Sequence, residues 1–239
     1  MKNLVSIMTI ITIPLFIISL SSAGTITGIV TAKGIQTYEN VVIYIEKVDD
    51  NKFAPPEESA AMDQKEMTFI PHVMPILVGT KVDFLNSDKV LHNVFSPSKT
   101  KKFNLGTYGP GIVKSVVFDK PGLVAILCNI HPEMSAFVLP LMNPYFAVTD
   151  KDGNFQIPND KAMKIAKVAE KYKKLPAGKY TLITWHEKLK TKTQEVVVPD
   201  EGEVKVEFAL IRGKSKVPYQ DEKKMRRNNR RKKPIWDLQ

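Results

Sequence analysis

Short apolar runs rich in Val, Ile and Phe, each stopped by Gly, Pro, Asn or Asp, recur along most of this chain and leave it few routes to anything but a β-sheet fold. Thr25–Val30 and Val41–Val48 come first. After a polar, Pro-containing excursion from Asp49 to Asp63 the runs resume at Met67–Ile70, Ile76–Leu85, Val113–Phe118, Leu123–Leu127 and Ala136–Leu141. Gly79, Asn86-Ser87-Asp88, Gly109-Pro110-Gly111 and Lys120-Pro121-Gly122 punctuate them. Short strands with regular turns predict an antiparallel β-sandwich. Asn143-Pro144 reads as a boundary. Beyond it, Tyr145–Thr149 and Asn154–Ile157 flank a turn at Asp150–Gly153, and Tyr180–His186, Thr193–Val198 and Val204–Leu210 follow as strands of a second, smaller β unit. The exception is Asp160–Leu175, where Ile165, Val168, Ala169 and Tyr172 share one helical face, so an inserted amphipathic helix is expected there.

The ends of the chain read differently from its middle. Lys2 precedes an uncharged apolar stretch from Leu4 to Leu20, and Ser21-Ser22-Ala23 supplies small residues at cleavage positions. Residues 1–23 are therefore expected to be an export signal, with a retained membrane anchor as the alternative, and the protein is expected to be periplasmic or otherwise extracytoplasmic. The formal charge is +10. From Arg212 onward there are eleven Lys and Arg against three acidic residues, a net of +8, which together with Lys2 leaves about +1 for residues 24–211. The basicity belongs to the tail, residues 213–239, which cannot bury enough surface to order itself and is expected to be disordered. An export signal and the absence of interleaved aromatics argue against nucleic acid as its partner. An anionic membrane surface or an acidic protein fits better, and a plain solubilising tail is the equal alternative.

One cysteine is the most informative count. Cys128 has no disulfide partner in the chain, and a lone thiol in an oxidising compartment is exposed to oxidation unless it is buried or bound. The residues that follow it favour the second outcome. Cys128-Asn129-Ile130-His131-Pro132-Glu133-Met134 gives C-x2-H-x2-M directly after a strand signal, and His92 lies far upstream after another turn. A soft thiolate, two imidazoles and a thioether form a donor set suited to copper, and a Cys and two His with a weak axial Met is the pattern of blue-copper electron-transfer sites. Zinc takes Cys and His but rarely a thioether. A Cys–His nucleophile would need an imidazole aimed at sulfur and a third orienting group, and no substrate cleft is indicated. Copper storage or delivery is the remaining rival, although such proteins generally use more soft ligands than one thiolate.

The ligand loop resembles that of the cupredoxins, the type 1 copper proteins, and most resembles the short loop of amicyanin and pseudoazurin. Phe69-Ile70-Pro71-His72, Val78–Asn86, His92-Asn93-Val94-Phe95 and Phe118–Gly122 fit the same family, and exported cupredoxin-domain proteins of the methylamine-utilization type in particular. The resemblance covers about residues 60–141. It implies that His92, Cys128, His131 and Met134 bind one type 1 copper per chain. It also implies that Asn93 ties the two ligand segments together through its side chain, and that His131 offers the electron's exit past Pro132. His72 is a conceivable auxiliary residue, with a hydrogen-bonded edge histidine as the plainer reading. His186, after Trp185, reads as part of a surface polar pair beside a packed tryptophan, and Met62, Met67 and Met74 as core or surface residues.

Ala147–Phe155 and Leu175–Leu182 resemble carboxypeptidase regulatory-like domains, which are transthyretin-like sandwiches. The expected architecture is all-β: a cupredoxin-like Greek-key sandwich over 24–142, followed by a smaller transthyretin-like sandwich with one inserted helix over 143–212. The expected function is outer-sphere electron transfer between redox partner proteins. No enzyme activity and no small-molecule substrate are expected.

Overall fold

A computed structural model describes residues 24–48, 53–169 and 172–213. The expected export signal and most of the basic tail lie outside the described residues. Sixteen strands and one short helix make up the regular structure described. In chain order the strands are β1 (Thr25–Lys33), β2 (Val42–Ile45), β3 (Ala60–Lys65), β4 (Thr68–Ile70), β5 (Val73–Leu77), β6 (Lys81–Asn86), β7 (His92–Ser96) and β8 (Phe103–Tyr108). They continue with β9 (Lys114–Val117), β10 (Val124–Leu127), β11 (Ser135–Leu141), β12 (Phe146–Val148) and β13 (Asn154–Ile157). After helix α1 (Asp160–Ile165) come β14 (Gly178–Trp185), β15 (Thr193–Val198) and β16 (Glu203–Ile211).

Two sandwiches result, and their division is not the expected one. The first is contiguous: a five-stranded sheet in the order β5-β11-β10-β7-β8 faces a four-stranded sheet β4-β3-β6-β9. Between them lie Met62, Phe69, Met74, Phe84, Val94, Phe118 and Ile126, all fully buried. The second joins β13-β1-β16 to β12-β2-β14-β15 around Ile26, Ile43, Ile157, Leu182 and Phe208. β1 and β2, expected to open the first sandwich, therefore belong to the second. β1 runs parallel to β16 from Thr25↔Glu203 to Lys33↔Ile211, and β2 lies between β12 and β14. The first sandwich is an insertion between β2 and β12, in place of a unit starting at residue 24. The cause is burial: Ile26, Val30, Val41 and Ile43 complete the core of the second sandwich.

Other local expectations change as well. The run Ile76–Leu85 is two strands, broken at Gly79, whose φ of +90° favours glycine. β3 lies at the end of the stretch expected to be an excursion. The helix is six residues long in place of sixteen. Asn159 caps it by accepting from the Ala162 amide, and Lys167 at φ +56° turns the chain away.

The sandwiches share a third apolar cluster. Val73, Leu123, Ala125, Phe137 and Leu139 on the outer face of the five-stranded sheet pack against Val42 and Trp185, with the Phe137 and Trp185 rings 5.3 Å apart and edge-on. A polar clasp closes the rim. His72, just before β5, faces an acceptor with each ring nitrogen: Nδ1 is 3.1 Å from the Ser135 carbonyl oxygen and Nε2 3.3 Å from Glu187 Oε1. Both nitrogens can be satisfied only as donors, which makes His72 an imidazolium paired with a carboxylate of the other sandwich. The hydrogen bond to Glu187 is the main cause that lifts the His72 pKa above its usual range, against the opposing effect of burial. Burial alone would raise Glu187, but the His72 bond and charge, together with the charge and hydrogen bond of Lys188, outweigh it and bring its pKa down to about 2.

The clasp therefore has a defined pH window. Glu187 contributes above its ordinary value of 4.5 and loses that contribution as pH falls toward about 2. His72 contributes fully below its ordinary value of 6.5 and loses it as pH rises through its lifted pKa. Chemical denaturation of wild type and His72→Gln should show the largest stability difference near about pH 5.5 and a smaller one near about pH 8.5. An equal difference at both pH values would mean that His72 acts by packing alone.

Candidate metal centre

β7 and β10 are antiparallel neighbours, with Leu127 opposite Phe95. The start of one strand therefore lies beside the end of the other. His92 is the first residue of β7, and Cys128 is the first residue beyond β10. The loop from Cys128 to Met134 then folds back into β11, and the Met134 N–H donates to the His131 carbonyl oxygen at 3.0 Å to close the turn.

Three of the expected ligands meet there. One donor atom from each of His92, Cys128 and His131 lies within 4.8 Å of the others, and this is the only such group among the described residues. The two Nδ1 atoms are 3.0 Å apart, and Cys128 Sγ is 4.0 Å from Nδ1 of His131. Two nitrogens that share one ion at about 2.0 Å cannot be more than about 4 Å apart, and a nitrogen and a sulfur not more than about 4.4 Å, so both separations fit a common ion. Without an ion, one proton between the two Nδ1 atoms satisfies the same geometry. His92 is fully buried and Cys128 2% exposed, whereas His131 is half-buried. Met134 is also 2% exposed and belongs to the same apolar core as Cys128.

The surroundings orient these donors. The sulfur accepts the amides of Asn93 at 3.5 Å and His131 at 3.4 Å, which offsets part of the charge of a thiolate. Asp88 Oδ2 accepts His92 Nε2–H at 3.0 Å, leaving the Nδ1 lone pair directed at the cluster. The same oxygen accepts the Met67 amide at 2.8 Å, and that bond first, with the His92 bond second, holds the Asp88 carboxyl below the usual carboxylate range. Asp88 is held in turn by Asn86, whose Oδ1 accepts the Asp88 amide while its Nδ2 donates to the carbonyl oxygens of Val90 and Tyr108. In the sequence Asp88 reads only as a turn residue. The signal that could have singled it out is a carboxylate four residues before a ligand-type histidine, in a turn that must fold back on it.

Asn93 departs from expectation. Its backbone, not its side chain, ties β7 to the cysteine. The side-chain Nδ2 donates to Asn104 Oδ1 at 2.9 Å, and Oδ1 is buried without a partner among the described residues. A register shift between Asn93 and Phe95 in the β7–β8 ladder accompanies this side-chain bond to β8. His72 lies outside the donor cluster, in the clasp described above. His186 is buried rather than on the surface, and burial pushes its pKa down. It lines a cleft of about 370 Å³ with His72, Glu39 and Glu187. Its Nδ1 accepts the Lys188 amide, which puts the ring proton on Nε2 and leaves no free lone pair for a second metal. Met62 and Met74 are core residues, and Met67 is exposed.

No protein-family profile matches the chain, and no curated protein matches it in sequence. Solved structures do. The purple cupredoxin from Nitrosopumilus maritimus is 26% identical, with 34% of this chain and 99% of that chain covered, at a TM-score of 0.32. Amicyanin from Paracoccus versutus is 17% identical over 43% of this chain and 98% of that one, at a TM-score of 0.33. The copper-containing nitrite reductase from Thermus scotoductus is 22% identical over 46% of this chain and 28% of that one, at a TM-score of 0.34.

Asp88→Asn keeps the size of the side chain but removes the charge that fixes the His92 ring. It should lower metal affinity by about 10- to 100-fold in a chelator competition while leaving the far-UV circular dichroism unchanged. Unchanged affinity would reduce Asp88 to a turn residue.

Proposed function

We propose that this chain is an extracytoplasmic type 1 copper protein that carries single electrons between redox partner proteins, and that His92, Cys128, His131 and Met134 are the residues that would hold the metal. The observation that carries this reading is the convergence of two imidazole Nδ1 atoms on one buried sulfur, with a methionine in the same core. Copper bound there would supply a one-electron couple. The chain supplies rigidity: His92 is fixed by Asp88 and β7, the sulfur by two amides, and the loop by the strands on either side, so the donors need not move when the charge changes.

His131 is the most exposed of the four residues and is the proposed exit for the electron. Exposed apolar side chains near the same end, Val90, Leu91, Ile112 and Val113, form a contact surface for a partner, and a β-carbon at Gly109 would lie 3.3 Å from Leu91 Cδ2. Storage or delivery of Cu(I) is the competing use of the same ligands, and a single enclosed thiolate favours it less.

An optical spectrum of the copper-loaded protein under redox cycling separates the two. One copper per chain, an intense visible band when oxidised, bleaching on reduction, and loss of the band in Cys128→Ser are expected. A colourless protein that releases Cu(I) to a competing chelator would transfer the reading to storage. For the exit surface, Leu91→Glu should slow electron self-exchange about tenfold or more by charge repulsion while leaving the visible spectrum unchanged. An unaltered rate would place the exit elsewhere.

A further inference from the structure

Behind the donor cluster, polar side chains from β3, β6, β7 and β8 are buried together: Gln64 and His92 are fully buried, Asn86 is 2% exposed and Tyr108 5%. Hydrogen bonds join them end to end. Gln64 Nε2 donates to the Tyr108 hydroxyl at 2.7 Å, and that hydroxyl donates to the Phe84 carbonyl oxygen at 3.2 Å. The Tyr108 carbonyl oxygen accepts Asn86 Nδ2 at 3.1 Å, and Asn86 Oδ1 accepts the Asp88 amide at 3.0 Å. Asp88 in turn accepts from His92 Nε2. The Gln64 carbonyl oxygen also accepts the Ser87 amide at 3.1 Å, so Gln64 bears on the same turn through its backbone.

Packing alone does not account for an amide at position 64. Its Nε2 is satisfied by Tyr108 and by the Leu85 carbonyl oxygen at 2.7 Å, but its Oε1 is buried with no partner among the described residues. A buried acceptor without a donor is destabilising, and a methionine of similar length would avoid that cost. What the amide provides is the bond to Tyr108, the residue opposite His92 in the β7–β8 ladder and a member of the same core as Cys128 and Met134. A carboxylate accepts an imidazole proton from several directions, so the orientation of His92 is set by where the 86–88 turn places Asp88. We propose that Gln64 and Tyr108 are positioning residues for the donor cluster: they hold the Asn86–Asp88 turn against β7 and so keep the His92 proton on Nε2 and the Nδ1 lone pair turned toward Cys128 and His131. The consequence for copper rests on the reading above, but the His92 tautomer belongs to the metal-free chain and is measured without copper.

The experiment is nuclear magnetic resonance of the metal-free protein labelled with nitrogen-15 in its histidines, which reads the His92 tautomer and the solvent exchange rate of its ring proton. Wild type should show the Nε2–H form. Gln64→Met and Tyr108→Phe keep the side-chain size and break the bond between the two residues, and each should speed that exchange at least about tenfold with an unchanged far-UV circular dichroism. Either single variant carries this result by itself. Because both break one bond, the double variant should exchange no faster than the faster single one. In a chelator competition the same variants should bind copper about tenfold more weakly than wild type. Four results would overturn the proposal: an Nδ1–H tautomer in wild type, wild-type exchange in both single variants, additive effects in the double variant, or wild-type copper affinity in both. A wild type that binds no copper but shows the expected exchange pattern would overturn the copper reading and uphold the positioning of His92.

Discussion

The antiparallel contact between β7 and β10 is the constraint on which the His92–Cys128–His131 cluster depends. It places the first residue of one strand beside the residue that follows the other, and so delivers His92 and Asn93 to Cys128, the latter across thirty-five positions of sequence. A slip of one residue would turn every side chain of β7 to the opposite face, and His92 would leave the interior. The register is held where the donor cluster lies. The Asn93 amide donates to the sulfur, and the β7–β8 ladder opposes His92 to Tyr108. One such bond contributes only about 1 kcal/mol, but it is paired with an apolar core that admits no other register.

That core is backed on both sides, which explains a feature of the sequence that a free-standing sandwich would not need. Leu123–Leu127 and Ala136–Leu141 are continuous apolar runs, not alternations of apolar and polar residues. The inner face of these strands packs on β3, β4 and β6, and the outer face packs on Val42 and Trp185 of the second sandwich. A sheet covered on both faces reads as an unbroken hydrophobic run. The second sandwich is thus a structural backing for the strands that flank the loop from Cys128 to Met134, and its β14–β15 connection supplies Glu187 to the His72 clasp at Ser135.

What the sequence conceals follows from the range of the interactions involved. Cys128 and His131 are legible as neighbours because their spacing is local, and His92 because a histidine after a turn and before a strand has a clear address. Asp88 was not, because its role depends on a turn folding back onto a strand that has yet to form. β3 was hidden because it buries Ala60, Met62 and Gln64, and the last is a polar residue whose Nε2 is satisfied by the Tyr108 hydroxyl and the Leu85 carbonyl, interactions no window of sequence contains. The helix was overread because Ile165, Val168 and Ala169 keep a helical period although Lys167 sits at positive φ. The boundary expected at Asn143 falls just before β12. It marks the return of the chain to the second sandwich, but the parallel pairing of Thr25 with Glu203 has no local signature.

The discontinuity has a mechanical consequence. The inserted sandwich leaves β2 at Ile45 and re-enters at Phe146, and these two strands are hydrogen-bonded neighbours, with Phe146 opposite Tyr44. Both connections therefore emerge from one place in one sheet, and the insertion is tethered twice, where a chain of consecutive domains would be tethered once. Two tethers, the Trp185 contact and the His72–Glu187 pair leave little freedom for one unit to rock on the other. A fixed junction means that a surface on the second sandwich orients the ligand loop of the first.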